Sequence, residues 1–246
     1  MGLHNFVKLF KDVEFGWSIL ITFYYAVLLI PMSLFISFVL AILLNNRLRG
    51  ARVFRSAYFL PFVLDVFVVA IVWRFLYSSP YGVIIKILNT LHIHMPPPLG
   101  TPSTALPSIA MAMALKNAGL GMILFLAGLQ NIPQSIYEAS AIDGASTWRR
   151  HIDITLPLLR PIILFLVVTG MIGVFSAFAE FYGMTDGGPW ITFHENTLGM
   201  TKATGLYLFR QFESLKLGYA AAISFILLII TIIISFISMR LLRQRT

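Results

Sequence analysis

The residues best equipped for chemistry fall into two groups. One is the stretch 130–160, where Glu138, Ala139, Ser140, Asp143, Gly144, Ile154, Leu156 and Pro157 punctuate a polar, arginine-bearing segment between apolar runs. The other is a handful of charges set inside those runs: Asp65, Arg74, Lys116 beside Asn117, and Glu180. Charges within lipid-length runs are rare, and they pair, face a cavity or reach for the surface. The second group could therefore line a polar path. Neither group has the pattern of a catalyst, because His-Glu-x-x-His and Gly-x-Ser-x-Gly are both absent from the sequence. His92, His94, His151 and His194 show no metal spacing with carboxylates, so no metal site is expected. With no cysteine there is no disulfide framework, thiolate site or Cys nucleophile. No Gly-x-x-x-x-Gly-Lys-Ser/Thr occurs either, and residues 199–205 lack its ending, so ATP is not handled by this chain.

Local chemistry shapes the 130–160 stretch. Ser135-x-x-Glu138 has capping-box spacing and predicts a helix start after Pro133. Gly144 is placed to end that helix, since its backbone enters positive φ without a Cβ penalty. Ser146 can cap a second short helix reaching about Ile154, Pro157 ends it, and Pro161 opens the next apolar run. Helix, glycine corner, helix is the expected form, lying outside the bilayer. Ala139, Ser140, Ala141 and Ala145 give it a surface of small residues that allows close backbone approach to another protein.

These groups need elements to position them, and the composition says what those are. Of 246 residues, 58% are hydrophobic and 11% charged, with a mean hydropathy of +0.85. Soluble domains carry about 25% charged residues, so an ordinary soluble enzyme and a disordered chain are both excluded. A spanning helix needs about 20 apolar residues. Five stretches qualify: 19–44, 57–77, 105–129, 161–182 and 217–239. The third carries Lys116 and many small residues, so it belongs inside a bundle where helices approach closely. Ten of the 18 basic residues (Arg47, Arg49, Arg52, Arg55, Arg149, Arg150, Arg160, Arg240, Arg243, Arg245) fall on one side of such a bundle. Lys8, Lys11, Lys86, Lys202, Arg210 and Lys216 fall on the other. The arginine-rich side should be cytoplasmic. The net charge of +8 is then a report of topology and requires no nucleic acid. An odd number of spans puts the N-terminus outside, where 1–18 reads as a loop with an amphipathic patch of Leu3, Phe6, Val7 and Phe10. A preceding helix missing from this chain is the simplest account.

Glu138-Ala139-Ser140, three residues, Gly144, nine residues, then Ile154-x-Leu156-Pro157 resembles the EAA loop of binding-protein-dependent ABC importer permeases. Ser140 in place of a third alanine is the only departure. The run Leu156-Pro157-Leu158-Leu159-Arg160-Pro161 resembles the sugar and glycerol-phosphate branch. So do Gly2-Leu3-x-Asn5-Phe6, Phe59-Leu60-Pro61, Leu126-Ala127-Gly128-Leu129-Gln130 and Met184-Thr185-x-Gly187-Gly188-Pro189. The resemblance covers the whole chain. It implies an all-α polytopic bundle forming one transmembrane domain over 1–246, with 130–160 as its cytoplasmic coupling loop. It implies a prokaryotic inner-membrane permease carrying half the path for a carbohydrate or polyol phosphate. The implied partners are ABC ATPase subunits that hold ATP and magnesium, a second permease, an extracytoplasmic solute-binding protein and the bilayer. The family has one further helix before Gly2.

Bland roles stand beside these. Glu138 could be only a cap. Arg74 could snorkel to the surface. Asp65 suits a structural partner as well as a solute. Lys116 and Asn117 are the best candidates for the path, against an ion pair of Lys116 with Glu180 or a neighbouring subunit. Glu180 and Tyr182 are expected at the outer rim of their span. Trp73, Tyr77, Phe178 and Tyr182 could stack on sugars, or anchor in lipid as aromatics often do. Residues 184–190 read as an external turn and 96–98 as a stiff connector. A secondary transporter or channel would need inverted repeats or a coupling residue at mid-membrane; no repeat is evident.

Overall fold

The computed structural model describes residues 4–45, 50–93, 95–193 and 196–243, and their side chains except at 235, 238, 239 and 241–243. Gly2, Leu3, Arg47, Arg49, His94, His194 and Arg245, named above, lie outside the described residues. The order is α1 His4–Phe10, α2 Val13–Asn45, α3 Ala51–Val63, α4 Val66–Leu76, α5 Val83–Thr90, α6 Pro102–Gln130, α7 Gln134–Ile142 and α8 Thr147–Arg150. A wide π turn, His151–Thr155, leads into α9 Leu156–Leu158 and α10 Arg160–Phe175. Then come α11 Ala179–Met184, β1 Trp190–Phe193, β2 Asn196–Gly199, α12 Thr204–Glu213 and α13 Leu217–Arg243.

Three helices, α2, α6 and α13, are single elements long and apolar enough to cross a membrane. Two further pairs pass the same test together, α3 with α4, bent by 103°, and the α8–α9 run with α10, bent by 67°. With each pair taken as one crossing the described residues hold five, but the stretch 57–77 is not one helix. Pro61 donates no hydrogen bond. Leu64 then turns extended, and the Asp65 carboxylate accepts from the amides of Phe67 (2.9 Å) and Val68 (3.2 Å) to start α4. An N-cap in mid-span wins over continuation because the four free amides of a helix start must find acceptors. The stretch 161–182 is likewise divided, at Ser176–Phe178, where α10 gives way to the short α11.

The packing follows side-chain size. Two-thirds of the most apolar window of α6 is buried, against less than a quarter for α2 and α13. Ala105, Ala110, Ala112, Ala114 and Ala118 lie on α6, all at or near zero exposure. Such small residues bring α2 and α3 close, and dispersion contacts replace the hydrophobic drive that lipid does not supply. At Gly119 a Cβ would lie 2.2 Å from the Tyr58 carbonyl oxygen, so the α3 backbone rides directly on α6. The outer faces of α2, α3 and α13 carry exposed Phe35, Val53, Phe225, Leu228, Ile232 and Phe236, a surface suited to lipid.

The end opposite the arginines is more ordered than the sequence suggests. Residues 4–10 form a helix, and Leu9 buries against Phe15, Tyr207, Tyr219, Ala222 and Ile223. Helix α2 starts at Val13, six residues early, because Asp12 caps it. Its carboxylate accepts from the amides of Glu14 (2.9 Å) and Phe15 (3.3 Å) and from the hydroxyls of Tyr207 and Tyr219. Residues 185–187 make the turn that was expected, with Asp186 and Gly187 at positive φ. The antiparallel hairpin that follows was not expected in an all-α chain. Trp17 Nε1 to Gly199 O (3.0 Å), Thr22 to Thr204 (2.9 Å) and the Lys202–Glu14 ion pair fasten hairpin and α12 to α2.

Burial alone would raise the Asp12 pKa, but the two tyrosine hydroxyls and two amides outweigh it and hold the carboxyl below its ordinary value. The folded pKa is depressed, so the stabilisation is complete above the unfolded pKa near 4 and is lost as pH falls through the folded value. Thermal melts in detergent should show the wild type losing stability below about pH 4 relative to Asp12→Asn. The two proteins should differ by a constant amount between about pH 6 and 8. A difference that does not change across the acid range would remove this role.

Candidate functional site

A cavity of about 530 Å³ opens between α2, α6 and α10, closed at one end by α11. Ser33 and Ser37 sit one turn apart on α2, and with Leu29 and Ile30 they present one face of that helix to the cavity. Helix α6 contributes Met113, Lys116, Asn117 and Leu120. Helix α10 gives Leu166, Thr169 and Gly170, the bend after it gives Ser176 and Phe178, and α11 gives Glu180. Four of the six expected path residues (Lys116, Asn117, Phe178 and Glu180) thus meet in one place.

The two charges in it are both buried, Lys116 at 6% exposure and Glu180 at 8%. Each has its own partner. Lys116 Nζ donates to the Phe62 carbonyl at 3.2 Å and stands 5.4 Å from the Phe62 ring centre. Glu180 Oε1 accepts from the Tyr25 hydroxyl at 3.1 Å. Among the described residues no ion pair joins Lys116 to Glu180. Glu180 lies at the start of α11, after the bend that follows Phe175, and lines the cavity wall.

Trp73 and Tyr182 are not on that wall. Trp73 packs against Tyr77 on α4, with ring centres 5.2 Å apart. Tyr182 is held between Phe67, Phe178 and Phe209 and lies under the Arg210 guanidinium. Their aromatic surface is used in packing, which follows once α4 and α11 cross at the bends. Asp65 is exposed and serves α4 as a cap, and Arg74 is exposed near the end of α4.

Tyr25, Ser33, Ser37, Thr169 and Ser176 were not singled out from the sequence. Ser37 and Thr169 bond back to carbonyls four residues earlier in their own helices, at 2.6 and 2.9 Å, so they cost little in an apolar run. The i, i+4 spacing of Ser33 and Ser37 was the available signal.

The loop 130–160 lies at the other end, below α6. Helix α7 starts on Pro133, with Ser135 inside the first turn, so the capping box does not form. The C-terminal expectation holds. Gly144 has φ +76°, its amide bonds Ala141 O (3.1 Å), and the Ala145 amide bonds Ser140 O (3.0 Å). This is the Schellman pattern, which needs a residue at positive φ. Ser146 Oγ accepts from the Arg149 amide (3.3 Å) and caps α8. The second helix does not stop before Pro157 but runs on to Leu158. The π turn at His151–Thr155 comes just before Pro157, which has no amide to offer and whose ring crowds the carbonyl four residues back.

Tyr137 OH meets Thr155 Oγ1 at 3.0 Å and ties the two arms together. Thr155 and Leu159 are buried, while Glu138, Ala139 and Asp143 are exposed. At the corner Ile142 is 87% exposed and Trp148 74% exposed. Two large apolar side chains held in the open beside a rigid turn suit a contact with another protein.

Residues 18–246 match the family described as "Binding-protein-dependent transport system inner membrane component". The chain is 30% identical over its full length to the trehalose/maltose transport system permease protein MalF of Thermococcus litoralis, covering 80% of it. It is 33% identical over 99% of its length to the lactose transport system permease protein LacF of Rhizobium radiobacter, covering 81% of that protein. Its fold is similar to that in the crystal structure of a bacterial ABC transporter involved in the import of the acidic polysaccharide alginate. The TM-score is 0.83 at 21% identity, covering 100% of this chain and 85% of that one. The chain belongs to the binding-protein-dependent transport system inner membrane components, the multi-pass permease subunits of ABC importers.

Proposed function

We propose that this permease forms half of the path for an uncharged carbohydrate, with two ATPase subunits, a second permease and an extracytoplasmic solute-binding protein as its partners. The lining of the cavity carries this reading. The charged groups in the lining are one ammonium, Lys116, and one carboxylate, Glu180, so it offers an anion no net positive charge. A buried carboxylate repels a phosphate or uronate at close range. Four hydroxyls (Ser33, Ser37, Thr169, Ser176) and the Asn117 amide are hydrogen-bonding partners for a neutral polyol. The volume falls in the range of about 300–1,000 Å³ usual for small-molecule sites. Relatives of both kinds match, the trehalose/maltose and lactose permeases and an sn-glycerol-3-phosphate permease, so the choice rests on the lining alone.

The loop 130–160 is the contact with the ATPase, presenting Glu138, Ala139, Asp143 and the exposed Ile142 and Trp148, while Ser140, Ile154, Leu156 and Pro157 shape and anchor its arms. The arginine-rich segments support a cytoplasmic position for this end and the C-terminus. The whole chain then acts as one transmembrane domain.

The solute class is tested by purifying the complex through a tag on this chain and reconstituting it with its binding protein. Neutral disaccharides such as maltose or lactose should be taken up and should compete with one another, and glycerol 3-phosphate should leave uptake unchanged. Strong competition by glycerol 3-phosphate with none by the disaccharides would reverse the assignment.

A further inference from the structure

The break in the second crossing divides one apolar stretch between two packing units. Below it, α3 is seated on α6, where the missing Cβ of Gly119 lets the Tyr58 carbonyl close in. Above it, α4 is seated on α11, where a Cβ at Gly183 would lie 2.9 Å from the Ala70 side chain. The two units carry one cavity charge each, Lys116 on α6 and Glu180 on α11. The two sides of the break are capped separately. Asp65 caps the start of α4, and Lys116 on α6 donates to the Phe62 carbonyl in the last turn of α3. The break leaves the final carbonyls of α3 without helical partners, and in an apolar setting each needs a donor.

We propose that Lys116 is a positioning residue for transport, which holds the end of α3 at the break while it faces the cavity and releases it when solute hydroxyls compete for its ammonium. The ammonium is a point donor with three hydrogens on a flexible stem, so it can pass from a carbonyl to a hydroxyl without moving α6. Cavity occupancy is thereby tied to the angle between α3 and α4. The inference rests on the permease reading above and adds a coupling element to it.

The chain has no cysteine, so single cysteines introduced at Ser56 on α3 and Val72 on α4, both exposed, can carry spin labels across the joint. In the reconstituted complex the wild-type background should give one narrow distance distribution. Lys116→Met should broaden it, and Lys116→Arg should keep it narrow. Uptake of labelled maltose should fall in Lys116→Met by roughly tenfold in maximal rate, as expected for a lost charge-assisted bond, with little change in KM. Lys116→Arg should recover most of the rate. If Lys116→Met does not assemble, Lys116→Gln, which loses the charge and some reach, is expected to broaden the distribution in the same way. A narrow wild-type-like distribution together with normal uptake in Lys116→Met or Lys116→Gln would overturn the proposal. Failure of the wild-type complex to transport maltose would count against the carbohydrate reading and leave the distance comparison as the test of the joint.

Discussion

Gly144→Val should abolish ATP-driven uptake while the protein still inserts and folds. The glycine sits at φ +76°, with no atom within 4 Å of where a Cβ would be. Valine therefore meets no clash, and the cost is conformational. Left-handed backbone penalises a residue with a Cβ by about 1–2 kcal/mol, and a β-branched one fits it worst. The spans bury far more than this, so insertion and thermal stability should change little. The Schellman bonds from Gly144 to Ala141 and from Ala145 to Ser140 would be lost or bent. Those bonds set the angle between α7 and α8, and with it the spacing of Ile142 and Trp148. Gly144→Ala should lie between the two, with reduced uptake. Glu138→Lys tests the same surface by charge, since Glu138 is exposed and its reversal leaves the fold intact. The checks are uptake in proteoliposomes and ATPase activity of the complex. Normal coupled uptake in both Gly144→Val and Glu138→Lys would remove the loop from the mechanism.

Gly119→Leu should fail at an earlier stage, in assembly of the bundle. A Cβ there lies 2.2 Å from the Tyr58 carbonyl oxygen and 2.8 Å from Phe59 Cα. Both are backbone atoms, so no side chain can turn aside, and α3 must move off α6. Overpacking in a tight interior costs about 1–3 kcal/mol where side chains can adjust, and the cost should be higher here. Little folded protein should be recovered from membranes, with a melting temperature well below that of the wild type. Gly128→Leu is the contrast. The nearest atoms there are the ends of the Ile162 and Leu159 side chains, which can shift, so the loss should be smaller. Equal recovery of Gly119→Leu and wild type would show that the close crossing of α3 and α6 is not needed.

The sequence carried some of this and hid the rest for definite reasons. Hydropathy located five crossings because lipid imposes a length and a polarity on each. It could not see the joint at Leu64–Asp65, because a window average treats one Asp as a small deduction. The same residue is a strong helix cap, and Pro61 lay just before it. The Gly144 corner was legible because a glycine requirement is local. The capping box at Ser135 was misread because Pro133 already serves as the N-cap, two residues earlier. Lys116, Asn117 and Glu180 were found as polar exceptions in apolar runs. Trp73, Tyr77, Phe178 and Tyr182 were chosen by type alone, and type does not say which way a side chain faces once helices bend: of the four only Phe178 lines the cavity. The cavity brings together α2, α6, α10 and α11, and no local pattern encodes that meeting. Asp12 was legible in principle, as a capping residue ahead of an acidic first turn, but the run was counted only from its most apolar part.

This chain is expected to move solute only when a separate ATPase acts on its 130–160 loop. The direct measurement is uptake of labelled maltose by proteoliposomes holding the copurified complex and the binding protein, with and without ATP on the ATPase side. The same assay is run on vesicles holding this chain alone under an imposed proton or sodium gradient. The expected result is uptake in the first case only, lost without ATP and lost in Gly144→Val. Uptake by the chain alone, driven by an ion gradient and indifferent to ATP, would contradict the account.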